Sequence, residues 1–147
     1  MTPPDANEDF LDIVAALTEE RCDFLIVGAH ALAAHGAPRA TGDLDIFVRP
    51  DASNAQRVFR ALTRFGAPLA AHQVTPDDFA TPGTVYQIGL PPRRIDVLTE
   101  LSGVTYDEAA ATPLVAHLGP HPIACIGLDA LITNKRAAGR TKDLADA

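Results

Sequence analysis

The chain has 147 residues, enough to bury about two-thirds of its unfolded surface around one core, so a single domain over residues 1–147 is expected. Lys and Arg number 12 against 19 Asp and Glu, a formal charge of −7 that argues against a broad nucleic-acid surface and leaves room only for a local basic pocket. Cys22 and Cys125 stand far apart, outside any CxxC or metal-ligand spacing, and read as buried thiols in a reducing compartment. No apolar run approaches the ~20 residues of a membrane span, and the N-terminus lacks the basic-then-apolar form of a signal peptide. A cytoplasmic protein with no membrane partner is expected.

In chain order, Phe10, Leu11, Ile13, Val14 and Leu17 recur at helical spacing behind acids, which predicts an amphipathic first helix capped around Asn7. Residues 24–28, FLIVG, read as a short buried strand. The alanine-rich run that follows predicts a turn or two of helix ended by Gly36 in a left-handed conformation. A second strand starts in ATGDLDIFV, residues 40–48, and stops at Pro50. Val58, Phe59, Leu62 and Phe65 then mark one face of a helix, with Asp51 or Ser53 as cap and Gly66 as terminator.

Residues 67–83 are rich in Pro, Asp and Thr and predict at most one helical turn behind Thr75. Two strands, TVYQIGL and RRIDVLT, flank the Pro91-Pro92 corner, and a weak helix is expected around YDEAAA. PLVAHLGPHPIACIG predicts two strands about Gly119-Pro120. Leu128, Leu131, Ile132 and Lys135 mark a last helix, which Gly139 is expected to break. Strands alternating with helices and then clustering predict an α/β (α+β) fold, a mixed sheet with helices packed against it.

The chemistry is concentrated in the acids. Asp43 and Asp45 are two residues apart, so in a strand their side chains share a face, with Cα atoms about 6–7 Å apart. At about 4 Å two such charges repel by roughly 4 kcal/mol at an effective dielectric near 20. A bound divalent cation removes that cost, and oxygen-only ligands suit Mg²⁺ or Mn²⁺. Alone, the pair reads more simply as two solvated acids on an open sheet face. Asp96, however, sits inside another apolar strand, where an unpaired charge would cost several kcal/mol. Three acids flanked by strand formers therefore suggest a trio on one face. Upstream, the first strand ends in Gly28 before a helix, an arrangement that lets backbone approach a phosphate.

Val27-Gly28-Ala29, Asp43-Leu44-Asp45-Ile46 and Ile95-Asp96-Val97, in this order, resemble the signature of the nucleotidyltransferase superfamily that shares the DNA-polymerase-β-like fold. HGAPRATGDLDIFV, QIGLPPRRIDVLT and NKRAAGRTKDLAD look like its small bacterial branch of minimal and toxin–antitoxin nucleotidyltransferases, over roughly residues 24–146. The resemblance implies transfer of a nucleoside monophosphate from a nucleoside triphosphate to a hydroxyl on a protein, an RNA end or a small molecule. Asp43, Asp45 and Asp96 would be the catalytic residues and ligands of two metal ions, Mg²⁺ or Mn²⁺, with Asp96 taking the hydroxyl proton.

Gly28 and Ala29 would form the phosphate loop. Arg39 and Thr41 either contact phosphate or cap a turn. Lys135, in the dense basic cluster with Arg136, Arg140 and Lys142, either contacts phosphate or is a solvated helix end. Ala29 departs from the family pattern, which has Gly or Ser there, so a module that binds nucleotide or a protein partner without transferring stands beside the enzyme reading. The acidic net charge disfavours a large RNA acceptor, and so small a domain suggests a partner subunit. His30 and His35 lie five apart, a poor spacing for a shared zinc site.

Overall fold

The computed structural model describes residues 8–36, 42–90 and 93–146, with side chains described as far as residue 139. The described residues form five helices and six strands in the order α1 Glu8–Glu19, β1 Phe24–Val27, α2 Gly28–Ala34, β2 Leu44–Val48, α3 Ala52–Phe65, β3 Val85–Ile88, β4 Ile95–Leu98, α4 Tyr106–Ala110, β5 Leu114–Leu118, β6 His121–Cys125 and α5 Leu128–Asp146. A 3₁₀ turn, Pro76–Ala80, sits in the Pro- and Thr-rich stretch between α3 and β3, where Thr75 caps it in a reciprocal capping box with Asp78.

The six strands form one mixed sheet in the order β3-β4-β2-β1-β6-β5. β2 runs parallel to β4 and antiparallel to β1, while β1 runs parallel to β6. The hairpins β3–β4 and β5–β6 complete the two wings. Alternation along β2 and β4 sends Leu44, Ile46, Ile95 and Val97 to one face, all of them buried. The core that contains them also takes Phe10, Ile13, Val14 and Leu17 from α1 and Ala55, Val58, Ala61 and Leu62 from α3. At about 25 cal/mol per Å² of apolar surface removed from water, burial of this kind is the main force holding the helices to the sheet.

α3 begins and ends as its sequence dictates. Asp51 accepts a hydrogen bond from the Asn54 backbone N–H at 2.7 Å, and Gly66 closes the helix in the left-handed region at φ +98°. Gly36, at φ +106°, terminates α2 in the same manner. The expected cap at Asn7 and the Pro91-Pro92 corner lie outside the described residues. One expectation is corrected: Gly139 does not break the last helix, and α5 runs without interruption to Asp146. Gly139 faces open space, and the roughly 1 kcal/mol that an internal glycine costs is small beside the good helix formers around it.

Among the described residues, no helix is long and apolar enough to cross a membrane.

Candidate functional site

Because β2 and β4 are parallel and in register, Asp45 lies directly beside Asp96. Asp43, just before β2, shares their face by alternation, and its carboxylate reaches across to β4, where Oδ1 accepts the Arg94 backbone N–H at 3.0 Å. The three acids predicted from sequence are thus gathered where β2 and β4 both begin. The same face is closed further along the strands, where Phe47 meets the ring of Tyr106 from α4 edge-on, centroids 5.2 Å apart.

Gly28 explains how Asp45 is seated. It opens α2 at φ +69°, and a Cβ built on it would fall 2.2 Å from Oδ2 of Asp45. The carboxylate therefore occupies the space that any other residue's side chain would fill. Sequence reasoning assigned this glycine to phosphate approach; its first observed effect is on the acid. Ala29 follows it inside α2.

Sequence reasoning missed Arg94. Its guanidinium grips Asp96 with both branches, Nε to Oδ1 at 2.8 Å and a terminal nitrogen to Oδ2 at 3.2 Å. The same terminal nitrogen stands 3.3 Å from Oδ2 of Asp43. The signal was present in RRIDV: residues 94 and 96 of a strand point to one face, so Arg94 had to lie beside Asp96. Asp96 in turn pushes the guanidinium pKa above its ordinary value. Among the described residues Asp45 has no such basic partner. Burial first, then the charge of Asp96 and a hydrogen bond shared with it, push the Asp45 carboxyl up to about 6.

The remaining predicted residues are placed differently. Lys135 is exposed on α5, at a level where Asn134 donates to the Ser102 backbone carbonyl at 3.0 Å, beyond the C-terminal end of β4. Among the described residues nothing links it to the acids. Arg39 and Thr41 lie outside the described residues, as do the side chains of Arg140 and Lys142. His35 is tied to the fold, with Nε2 2.7 Å from the Ile126 carbonyl oxygen.

The donor set bears on a metal. Carboxylate oxygens suit a hard divalent cation, and the guanidinium lying between Asp43 and Asp96 shows that a positive charge is accommodated there. Among the described residues no group of three or more His, Cys, Asp or Glu side chains is arranged to hold a metal ion. In donor chemistry the residues fit the cation: Asp43 and Asp96 offer two carboxylates to one positive group, the number that Mg²⁺ usually takes from protein.

No protein-family model matches the sequence, and no curated protein matches it. Among solved structures, a Thermotoga maritima protein named "putative nucleotidyltransferase (TM1012)" is similar, at 13% identity and a TM-score of 0.66, over 99% of this chain and 92% of that one. At this identity the likeness is one of fold, and it spans the sheet and its helices together. The chain therefore has the mixed α+β fold of that nucleotidyltransferase-named structure.

Proposed function

We propose that the protein is a metal-dependent nucleotidyltransferase, which moves a nucleoside monophosphate from a nucleoside triphosphate to a hydroxyl acceptor. The observation that carries this reading is the convergence of Asp43, Asp45 and Asp96 at the starts of two parallel strands, with Asp45 seated in the space Gly28 leaves. Asp43, Asp45 and Asp96 would hold Mg²⁺ or Mn²⁺. When bound, the cation neutralises charge on the triphosphate and on the attacking oxygen.

The acceptor hydroxyl gives its proton to Asp96 as its oxygen attacks the α-phosphorus, and pyrophosphate leaves with the electron pair of the broken P–O bond. The sheet contributes position: the acids are fixed by the β2–β4 ladder, so little order has to be gained at the moment of reaction. The backbone N–H groups of Gly28 and Ala29, with Arg39 and Thr41, are assigned to the nucleotide. A net charge of −7 favours a protein or small-molecule acceptor over a large RNA, and a place within a toxin–antitoxin pair accords with the sequence resemblance.

A second reading, a nucleotide-binding partner module without transfer, draws on Ala29, which supplies no hydroxyl to a phosphate. Incubation with each α-labelled nucleoside triphosphate, Mg²⁺ and a cell lysate separates the two. Transfer of label that disappears in Asp45→Asn is the expected result. Tight nucleotide binding with no label on any acceptor would favour the module.

A further inference from the structure

Arg94 is held to two of the three acids by its side chain and to the sheet by its backbone. Its backbone N–H donates to Asp43 at 3.0 Å, and its carbonyl accepts the Leu44 N–H at 3.0 Å, so the main chain is locked into the β2–β4 ladder. The side chain, in contrast, is 29% exposed and ends in three charge-assisted contacts, to Oδ1 and Oδ2 of Asp96 and Oδ2 of Asp43. Withdrawing it would disturb no backbone bond, and Asp43 would keep the N–H that fixes its orientation.

We propose that Arg94 is a resident counter-ion, which holds Asp43 and Asp96 in the metal-free protein and competes with the divalent cation for the same carboxylate oxygens, so that the guanidinium has to leave for the cation to bind. This rests on the reading of the acids as cation ligands. A guanidinium is a weakly hydrated, singly charged fork, and a divalent cation brings twice the charge to the same oxygens. The arrangement keeps Asp43 and Asp96 from splaying apart before the cation arrives, at the cost of affinity for it.

The test is calorimetric titration of Mn²⁺ alone into the parent, Arg94→Gln, Arg94→Lys and Arg93→Gln. Arg93 is the exposed neighbour on the preceding residue, so its loss removes the same charge without vacating the contacts. Because the net worth of a charge-assisted hydrogen bond is about that of a tenfold affinity change, Arg94→Gln should bind Mn²⁺ about tenfold tighter than the parent. Arg93→Gln should stay within about twofold of the parent, because its charge is exposed and screened. Arg94→Lys keeps the charge but loses the fork, and should fall between parent and Arg94→Gln; it carries the test if Arg94→Gln fails to melt cooperatively in chelator. An unchanged or weaker affinity in the Arg94 variants, or an equal gain in Arg93→Gln, overturns the competition while leaving the acids as ligands. Absence of Mn²⁺ binding in parent and variants alike overturns the proposed function as well.

Discussion

At the scale of single residues, one absent atom organises the site. The missing Cβ of Gly28 is what admits the Asp45 carboxylate, and its φ of +69° is a conformation that other residues adopt only under strain. Gly28→Ala should destabilise the fold by about 1–3 kcal/mol, from that strain and from the displaced carboxylate. Denaturant unfolding measures the cost, and a cycle with Asp45→Ala assigns it. If the collision with the carboxylate contributes, the double variant loses less than the sum of the singles, with a coupling of about 1 kcal/mol. Strict additivity would leave backbone strain as the whole effect. The same geometry means that a bulky substitution at position 28 reports on the acid's seat before it reports on any phosphate.

At the scale of elements, Asn54 carries more than its place in α3 suggests. It is fully buried, and its amide accepts from the Asp23 N–H at 2.7 Å and donates to the carbonyls of Asp23 and Arg49 at 3.0 Å each. One side chain thereby clips the start of α3 to the entry of β1 and the exit of β2. Asn54→Ala would leave the Asp23 N–H unpaired, while the carbonyls of Asp23 and Arg49 keep the backbone N–H groups of Arg49 and Asp51, and an expected loss of about 1–2 kcal/mol is measurable by thermal or chemical melting. The clip depends on partners that only the folded chain brings near, whereas Arg94 stands two residues from Asp96 and the spacing in RRIDV already placed the two on one face. What was legible is what local chemistry decides. Val58 and Leu62 on one helical face, Gly36 and Gly66 as left-handed terminators, and Asp43, Asp45 and Asp96 on one sheet face all follow from periodicity and backbone freedom. Gly139 was misread because a glycine's helix penalty is a weak preference that a run of good helix formers overrides. Lys135 was read as a phosphate contact through resemblance or as a solvated helix end, and no local pattern sets where α5 lies against the sheet.

At the scale of the whole molecule, the site sets a conflict between stability and charge, and the three acids do not share it equally. Asp43 and Asp96 have Arg94, whereas Asp45 is half-buried beside Asp96 with its carboxyl pushed up to about 6 from an unfolded value of 3.8. Between those two values the folded state holds more of the Asp45 proton than the unfolded state does, so stability falls as pH rises through that window and stays lower above it. A shift of this size corresponds to about 3 kcal/mol, which solvent at the open end of the face screens to about 1–2 kcal/mol. Asp45→Asn should therefore leave the metal-free protein as stable as the parent near pH 4 and more stable at pH 7, by about 1–2 kcal/mol. Asp43→Asn should not show this gain, because it gives up the attraction of the Arg94 guanidinium. Melts of parent and both variants in chelator across pH 4–8 read the difference. Addition of Mn²⁺ with a nucleoside triphosphate should raise the melting temperature of the parent and not that of Asp45→Asn, since a ligand stabilises only in proportion to its affinity for the folded state. If Asp45→Asn instead melts well below the parent at pH 7 in chelator, and the parent ignores the metal, then Asp45 is a structural acid and the catalytic reading of the trio fails with it.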